Sequence, residues 1–224
     1  MKGIIFDYDG TLHESIRIYA PAFQRAYEFL VQRGLAPEKE WNYSEIGRWL
    51  GYTSKDMWNA FMPGLDEELK QRCSTIIGQT MLEFTGQGKA QLYDGSLETL
   101  ETLKNRGHKL IFLSNCKTQY MEAHKREFGL DRYFEGFYCT HQYNFAPKHE
   151  IFSHILAQHP GTYTVIGDRF QDIEIAQRHG LVSIGCTYGY GELDELRNAD
   201  FRISDIRELS DILKSRYPLQ HLYP

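Results

Sequence analysis

Lys109-Leu110-Ile111-Phe112-Leu113-Ser114-Asn115 is the stretch from which the architecture can be read. An apolar run passes directly into a hydroxyl and an amide, and a segment of helical length follows. The same order recurs at 136–139, 163–166 and 181–185. Runs this short and this continuously apolar suit strands buried on both faces, and their alternation with helical segments predicts βαβ units in a parallel sheet. The run at 3–7 is also short and apolar and ends in turn residues, so it joins the same sheet. The expected class is α/β, a doubly wound, Rossmann-like parallel sheet.

Residues 8–108 are far more than a strand-to-helix connection needs, so something is inserted there. Ile16, Tyr19, Phe23, Tyr27 and Leu30 recur at three- and four-residue spacing, which predicts one buried helical face, with Pro21 marking a kink or the helix start. Further helices are expected at 42–50, 53–61 and 66–85, punctuated by Gly34, Gly51, Pro63-Gly64 and Gly86. This reading gives a small helical domain at 14–89 within a core of 1–13 and 90–224. Trp41, Trp49 and Trp58 all fall inside the insertion, where packing between its helices is the simplest account of them.

Composition narrows the classes. With 42% hydrophobic and 25% charged residues in 224, the chain reads as an ordinary globular protein. Its 25 basic and 30 acidic residues give a formal charge of −5, which disfavours a basic nucleic-acid-binding face. No apolar run approaches the roughly 18 residues of a membrane span. Asp7 and Asp9 interrupt the first apolar run, against a signal peptide, so a cytoplasmic protein is expected. Cys73, Cys116, Cys139 and Cys186 contain no CxxC pair, which predicts reduced thiols rather than a zinc site.

Chemistry concentrates at strand ends, where open α/β sheets bind ligands. Phe6-Asp7-Tyr8-Asp9-Gly10-Thr11 places two carboxylates two residues apart, able to approach one cation, with Gly10 permitting close backbone approach to an anion. A solvated Asp-Gly turn is the plainer alternative, and the glycine sits at the wrong place for an EF-hand. In Gly167-Asp168-Arg169-Phe170-Gln171-Asp172, Asp168 and Asp172 are one helical turn apart and can face one cavity. Helix capping by Asp168 is the competing use. Carboxylates converging from two strand ends suit Mg²⁺ better than zinc. Ser114 and Asn115 could donate to phosphate oxygens, although capping is their commoner task. Lys148 lies in a loop before a helix, where a solvated lysine is the ordinary case. His149, His154 and His159 are read as surface residues, and the spacing of Gly185, Gly189 and Gly191 does not fit a dinucleotide fingerprint.

Together, the DxDGT at 7–11, the Ser-Asn at 114–115, Lys148 and the GDxxxD at 167–172 resemble the haloacid dehalogenase superfamily over nearly the whole chain. The segment from Gly185 to Leu209 and the helical insertion look like its phosphoglycolate phosphatase-like subgroup, whose insertion is an α-helical cap. The resemblance implies Asp7 as nucleophile forming an aspartyl-phosphate and Asp9 as general acid and base. It implies Mg²⁺ held by Asp7, the Asp9 carbonyl and Asp168, with Asp172 a supporting or alternate ligand. Ser114, N–H groups near Gly10 and Asn115, and Lys148 would hold the phosphoryl group, with Thr11 orienting Asp9. Asp9 speaks for phosphate cleavage over dehalogenation. Taking Gly51 as the cap glycine, Leu50 and Ser54 stand where β-phosphoglucomutases carry basic residues. Residues around Arg48, Gly51, Tyr52 and Lys55 would close over the site, though solvated side chains are the simpler reading of Arg48 and Lys55. The implied function is a Mg²⁺-dependent phosphatase of a small phosphorylated metabolite. A pyrophosphatase, a nucleotidase, a phosphomutase and a non-catalytic regulatory homologue are the alternatives. No nucleic-acid or membrane partner is implied, and monomer and dimer stay open. No role follows for Arg169.

Overall fold

The apolar runs pair side by side in parallel. In the computed structural model, which describes residues 2–214, the strands are β1 (Lys2–Phe6), β2 (Lys109–Ser114), β3 (Phe134–Cys139), β4 (Thr162–Gly167), β5 (Val182–Cys186) and β6 (Phe201–Ile203). They form one sheet in the order β3-β2-β1-β4-β5-β6, parallel throughout. Ile4 and Phe6 enter one core cluster, whereas Ile5 joins Ile111, Val165 and residues of α7 (Lys148–Gln158) and α8 (Phe170–His179) in another. That alternation is the two-residue period of a strand covered on both faces. The edge strand β6 was not among the expected runs: Phe201-Arg202-Ile203 is short and its middle residue is exposed. The last part of the expected core, 215–224, lies outside the described residues.

Between β1 and β2 the chain forms α1 (Ile16–Val31), α2 (Tyr43–Gly47), α3 (Ser54–Phe61) and α4 (Glu67–Gly86). Pro21 lies inside α1, so it does not mark the helix start. A proline there removes the bond to the Arg17 carbonyl, and Arg17 is exposed, so water can satisfy it. The helix expected over 42–50 shrinks to five residues, opened by a capping box between Asn42 and Glu45. The turn beyond it passes through Gly51 at φ +85°. Trp58 is fully buried, Trp41 meets Phe23, Tyr27 and Phe61 edge-on, and Trp49 packs on Phe61. Trp58 thus lies in the core of the inserted helices, with Trp41 and Trp49 packed against it.

The remaining helices are α5 (Ser96–Asn105), α6 (Thr118–Glu127) and α9 (Leu209–Ile212). No helix among the described residues is long and apolar enough to cross a membrane. His149 is half-buried rather than on the surface, with Nδ1 3.3 Å from Glu174; His154 is exposed.

Candidate active site

β1 and β4 are neighbours at the point where the strand order reverses, the position at which a doubly wound sheet opens a crevice. Asp7 follows β1 directly, and its N–H donates to the Ile166 carbonyl at 2.9 Å, holding it beside the end of β4. Asp168 follows β4. Asp172 projects from the first turn of α8, and Lys148 begins α7. Suitable oxygens of Asp7, Asp168 and Asp172 lie within 4.8 Å of one another, and all three residues are buried. The Lys148 ammonium donates to Asp7 Oδ1 at 2.5 Å and to Asp172 Oδ1 at 2.8 Å. Asp172 Oδ2 also accepts the Arg169 N–H at 3.2 Å, so this side chain caps its helix as well as facing the cluster.

One buried ammonium does not balance three carboxylates. Burial, then Asp172, holds the Asp7 carboxyl well above its usual range in spite of Lys148, and the same two causes push Asp168 up to about 7. The tightness of the two carboxylates around it keeps Lys148 charged against the cost of burial. Asp168 Oδ2 accepts the Tyr190 N–H at 2.7 Å, while its Oδ1 is buried with no hydrogen-bond partner. Uncompensated negative charge, an oxygen-only donor set and an orphaned carboxylate oxygen suit a hard divalent cation.

Asp9 faces away from this cluster. Its Oδ1 accepts from His13 Nδ1 at 2.9 Å and from the Tyr120 hydroxyl at 2.8 Å. Burial raises the Asp9 carboxyl, but the hydrogen bond and charge of His13, with that of Tyr120, bring it below its usual value. The carboxyl stays 17% exposed and borders a cavity of about 290 Å³ that Asp7, Ser114 and Asn115 also line.

Several expected roles change here. Thr11 does not hold Asp9: its hydroxyl is buried without a partner, and its carbonyl accepts from Tyr188 at 2.9 Å. The Gly10 N–H is not free for phosphate, because it donates to the His13 carbonyl at 3.0 Å. Gly10 instead supplies φ +89° at a place where a Cβ would collide with the Asp168 carboxylate. Neither Ser114 nor Asn115 caps α6, which is preceded by Lys117. The Asn115 side-chain amide reaches the inserted helices, donating to the Gly51 carbonyl at 2.9 Å. Arg48 and Lys55 are exposed and do not line the cavity.

Residues 1–180 match the signature of the haloacid dehalogenase-like hydrolases. The chain belongs to this family. A 5'-nucleotidase from Pseudomonas aeruginosa is 28% identical over 95% of this chain and 95% of its own length. A phosphoglycolate phosphatase from Synechococcus elongatus is 26% identical over 88% of each chain. The crystal structure of a predicted phosphoglycolate phosphatase from Haemophilus somnus superposes with a TM-score of 0.80 at 22% identity, covering 96% of this chain and 98% of the other. The haloacid dehalogenase resemblance and the fold are therefore as expected, and the family and its phosphatase relatives make the chain a phosphate-ester hydrolase.

This haloacid dehalogenase-like hydrolase uses residues that no local motif announced. Arg169 is buried; its Nε donates to Glu195 at 3.0 Å, its Nη1 to the Leu50 carbonyl, and its guanidinium lies 4.7 Å from the Tyr52 ring centroid. It ties the Asp168 loop to the turn of the inserted helices. Gly189 and Gly191, of no use for a dinucleotide, sit where a Cβ would strike Asp168. A buried polar chain also links the helices to the core. Thr85 donates to the Met81 carbonyl, which leaves its oxygen to accept from His124 Nε2 at 3.0 Å. His124 Nδ1 must then accept from the Tyr8 hydroxyl at 2.8 Å.

Burial, reinforced by His13, lowers the His124 imidazole to about 3. Below its ordinary value of about 6.5 the unfolded chain takes up a proton that the folded chain refuses. Folding stability is therefore expected to fall as pH drops from about 6.5 toward 3, with this residue contributing at most about 1.4 kcal/mol per pH unit. Urea titrations across that range check it. His124→Gln should flatten the slope, and an unchanged slope would remove His124 as the cause.

Proposed function

We propose that this chain is a Mg²⁺-dependent phosphatase that hydrolyses a small phosphate monoester through an aspartyl-phosphate on Asp7. The observation that carries the reading is the buried meeting of Asp7, Lys148, Asp168 and Asp172 at the strand-order reversal, with Asp9 on the rim of an adjoining cavity. The Asp7 carboxylate attacks phosphorus while Asp9 passes to the departing ester oxygen a proton that the Asp9–His13 pair takes up as the anionic substrate arrives, since the carboxyl of the free protein is held below its usual value. Water then attacks the phosphorus of the aspartyl-phosphate, Asp9 takes that water's proton, and Asp7 is released with orthophosphate. Lys148 holds the Asp7 carboxylate in place and, with the Ser114 hydroxyl and the Asn115 N–H, offsets charge on the transferring oxygens. His13 and Tyr120 position Asp9.

Asp7, the Asp9 carbonyl and Asp168 would hold Mg²⁺, supported by Asp172. The ion supplies positive charge that lets an anionic carboxylate approach an anionic phosphate. In the same reading, residues 14–89 form a cap domain over a core of 1–13 and 90–224, and Asn115 and Arg169 fasten its turn near Gly51 in the closed arrangement. Leu50 and Ser54 supply no cation of the turn's own, and Arg169, which packs on it, is paired with Glu195, which favours hydrolysis over phosphoryl exchange between sugar phosphates. The phosphatases among its relatives support a small phosphorylated metabolite as substrate.

Orthophosphate release from an aryl phosphate tests the class. Release is expected with Mg²⁺, loss with EDTA, and recovery when Mg²⁺ is returned. A folded protein that releases nothing from this ester or from a broad monoester panel would overturn the reading.

A further inference from the structure

The wall of the cavity opposite Asp7 and Asp9 comes from the inserted helices. It is apolar and aromatic: Tyr19, Trp49, Tyr52, Met57, Ile77 and Met81 contribute to it. Uncharged polar groups, Ser54, Ser74 and Gln79, interrupt the apolar surface. Lys117, at the exposed rim, is the one cationic side chain along the whole lining among the described residues.

A leaving group meets this wall, because the phosphoryl end must sit at Asp7. A second anionic group on it, such as the carboxylate of glycolate or another phosphate, would be taken from water toward Asp9 and a largely apolar wall whose polar groups are uncharged. Burying an unpaired carboxylate is costly, and the buried cations nearby do not offset it: Lys148 is paired with Asp7 and Asp172, Arg169 with Glu195, and neither lines the cavity. Size points the same way. A cavity of about 290 Å³ is far larger than glycolate fills, and glycolate would leave most of the apolar wall wet. A planar ring covers that wall and stacks on the aromatic side chains. Ring heteroatoms can pair with the Gln79 amide, and a ring N–H can donate to the Ser54 oxygen, whose own proton goes to Ser74.

We infer that the substrate is a phosphate monoester whose leaving group is uncharged and ring-bearing, of the class of a nucleoside 5'-monophosphate. This inference rests on the phosphatase reading above and narrows it to a substrate class.

The test compares kcat/KM for nucleoside 5'-monophosphates, phosphoglycolate and a sugar bisphosphate, with an aryl phosphate as the measure of turnover itself. At least one nucleoside monophosphate is expected to exceed phosphoglycolate by about a hundredfold. Trp49→Leu should lower the ratio of those two values about tenfold, the equivalent of ~1.4 kcal/mol of lost stacking. Phosphoglycolate or the bisphosphate turned over as well as every nucleotide, with the aryl phosphate also cleaved, would overturn the inference and leave the phosphatase reading standing. Calorimetric titration with free nucleosides separates the two readings, since it needs no turnover. Nucleoside binding that Trp49→Leu weakens, in a protein that cleaves no ester, supports the cavity assignment while the phosphatase reading fails. A protein that binds glycolate and no nucleoside sinks the inference whatever its activity.

Discussion

Asp7→Asn is expected to lower phosphate release by about 10⁴-fold or more and leave the folded protein at least as stable as the parent in the absence of metal. The two halves have one cause. An amide has the shape of the carboxylate but no anionic oxygen to attack phosphorus, and removing a nucleophile typically removes nearly all of the rate that it supports. The same change takes one negative charge from a buried group of three carboxylates that share one ammonium. Burial and Asp172 already disfavour the charged form of Asp7, so the fold does not depend on that charge. Lys148 keeps Asp172 as a partner and can still donate to the amide oxygen. Steady-state kinetics and thermal unfolding in EDTA read the two halves separately. Turnover retained in the variant would remove Asp7 as nucleophile. Activity lost together with a large drop in Tm would mean that the charge is structural.

The asymmetry between what the sequence discloses and what it hides follows from distance along the chain. Asp7 and Asp9, or Asp168 and Asp172, are close neighbours at the end of an apolar run, so a strand end and its carboxylates can be read in one window. The parallel sheet then brings the windows together because β1 and β4 pair. What holds Asp9 could not be read this way. His13 returns through a turn and Tyr120 arrives on α6, and only packing places both on one carboxylate oxygen. Thr11 was nearer in sequence and is farther in chemistry, since its hydroxyl is turned into the core. Arg169 had no legible role because its partners, Leu50, Tyr52 and Glu195, belong to two segments remote from it and from each other. The signal available was a cation set directly after Asp168 at the end of a buried strand. Gly189 and Gly191 fit no ligand motif, and their reason is the backbone and carboxylate of Asp168. β6 fell below what an apolar run can signal, since an edge strand needs only one face to be buried.

Lys148→Met carries the second large expectation, a loss of about 3–5 kcal/mol in folding stability without metal together with a fall of roughly 10²–10³ in kcat. Methionine fills much of the same space, so the cost is electrostatic: Asp7 and Asp172 lose the donor they share at 2.5 and 2.8 Å. Uncompensated carboxylates in a buried site take up protons, which fixes the sign of the pH dependence. A carboxyl whose folded pKa is raised adds stability below its unfolded value near 4, and that contribution is lost as pH rises through the folded value. Asp168 is already pushed up to about 7 with the charge of Lys148 lowering it, so in the variant that window extends beyond pH 7. The deficit of the variant relative to the parent should therefore be small near pH 4 and grow toward pH 7, a comparison from which the opposite slope due to His124 cancels. Mg²⁺ should narrow the deficit, because a divalent cation bound to the same oxygens supplies the missing charge and so binds the variant more tightly than the parent; each tenfold difference in Kd narrows it by about 1.4 kcal/mol. Chemical denaturation of parent and variant at both pH values, with Mg²⁺ and with EDTA, gives all four terms. A deficit independent of pH and of Mg²⁺ would make Lys148 a packing residue, and the charge balance at Asp7 would need another source.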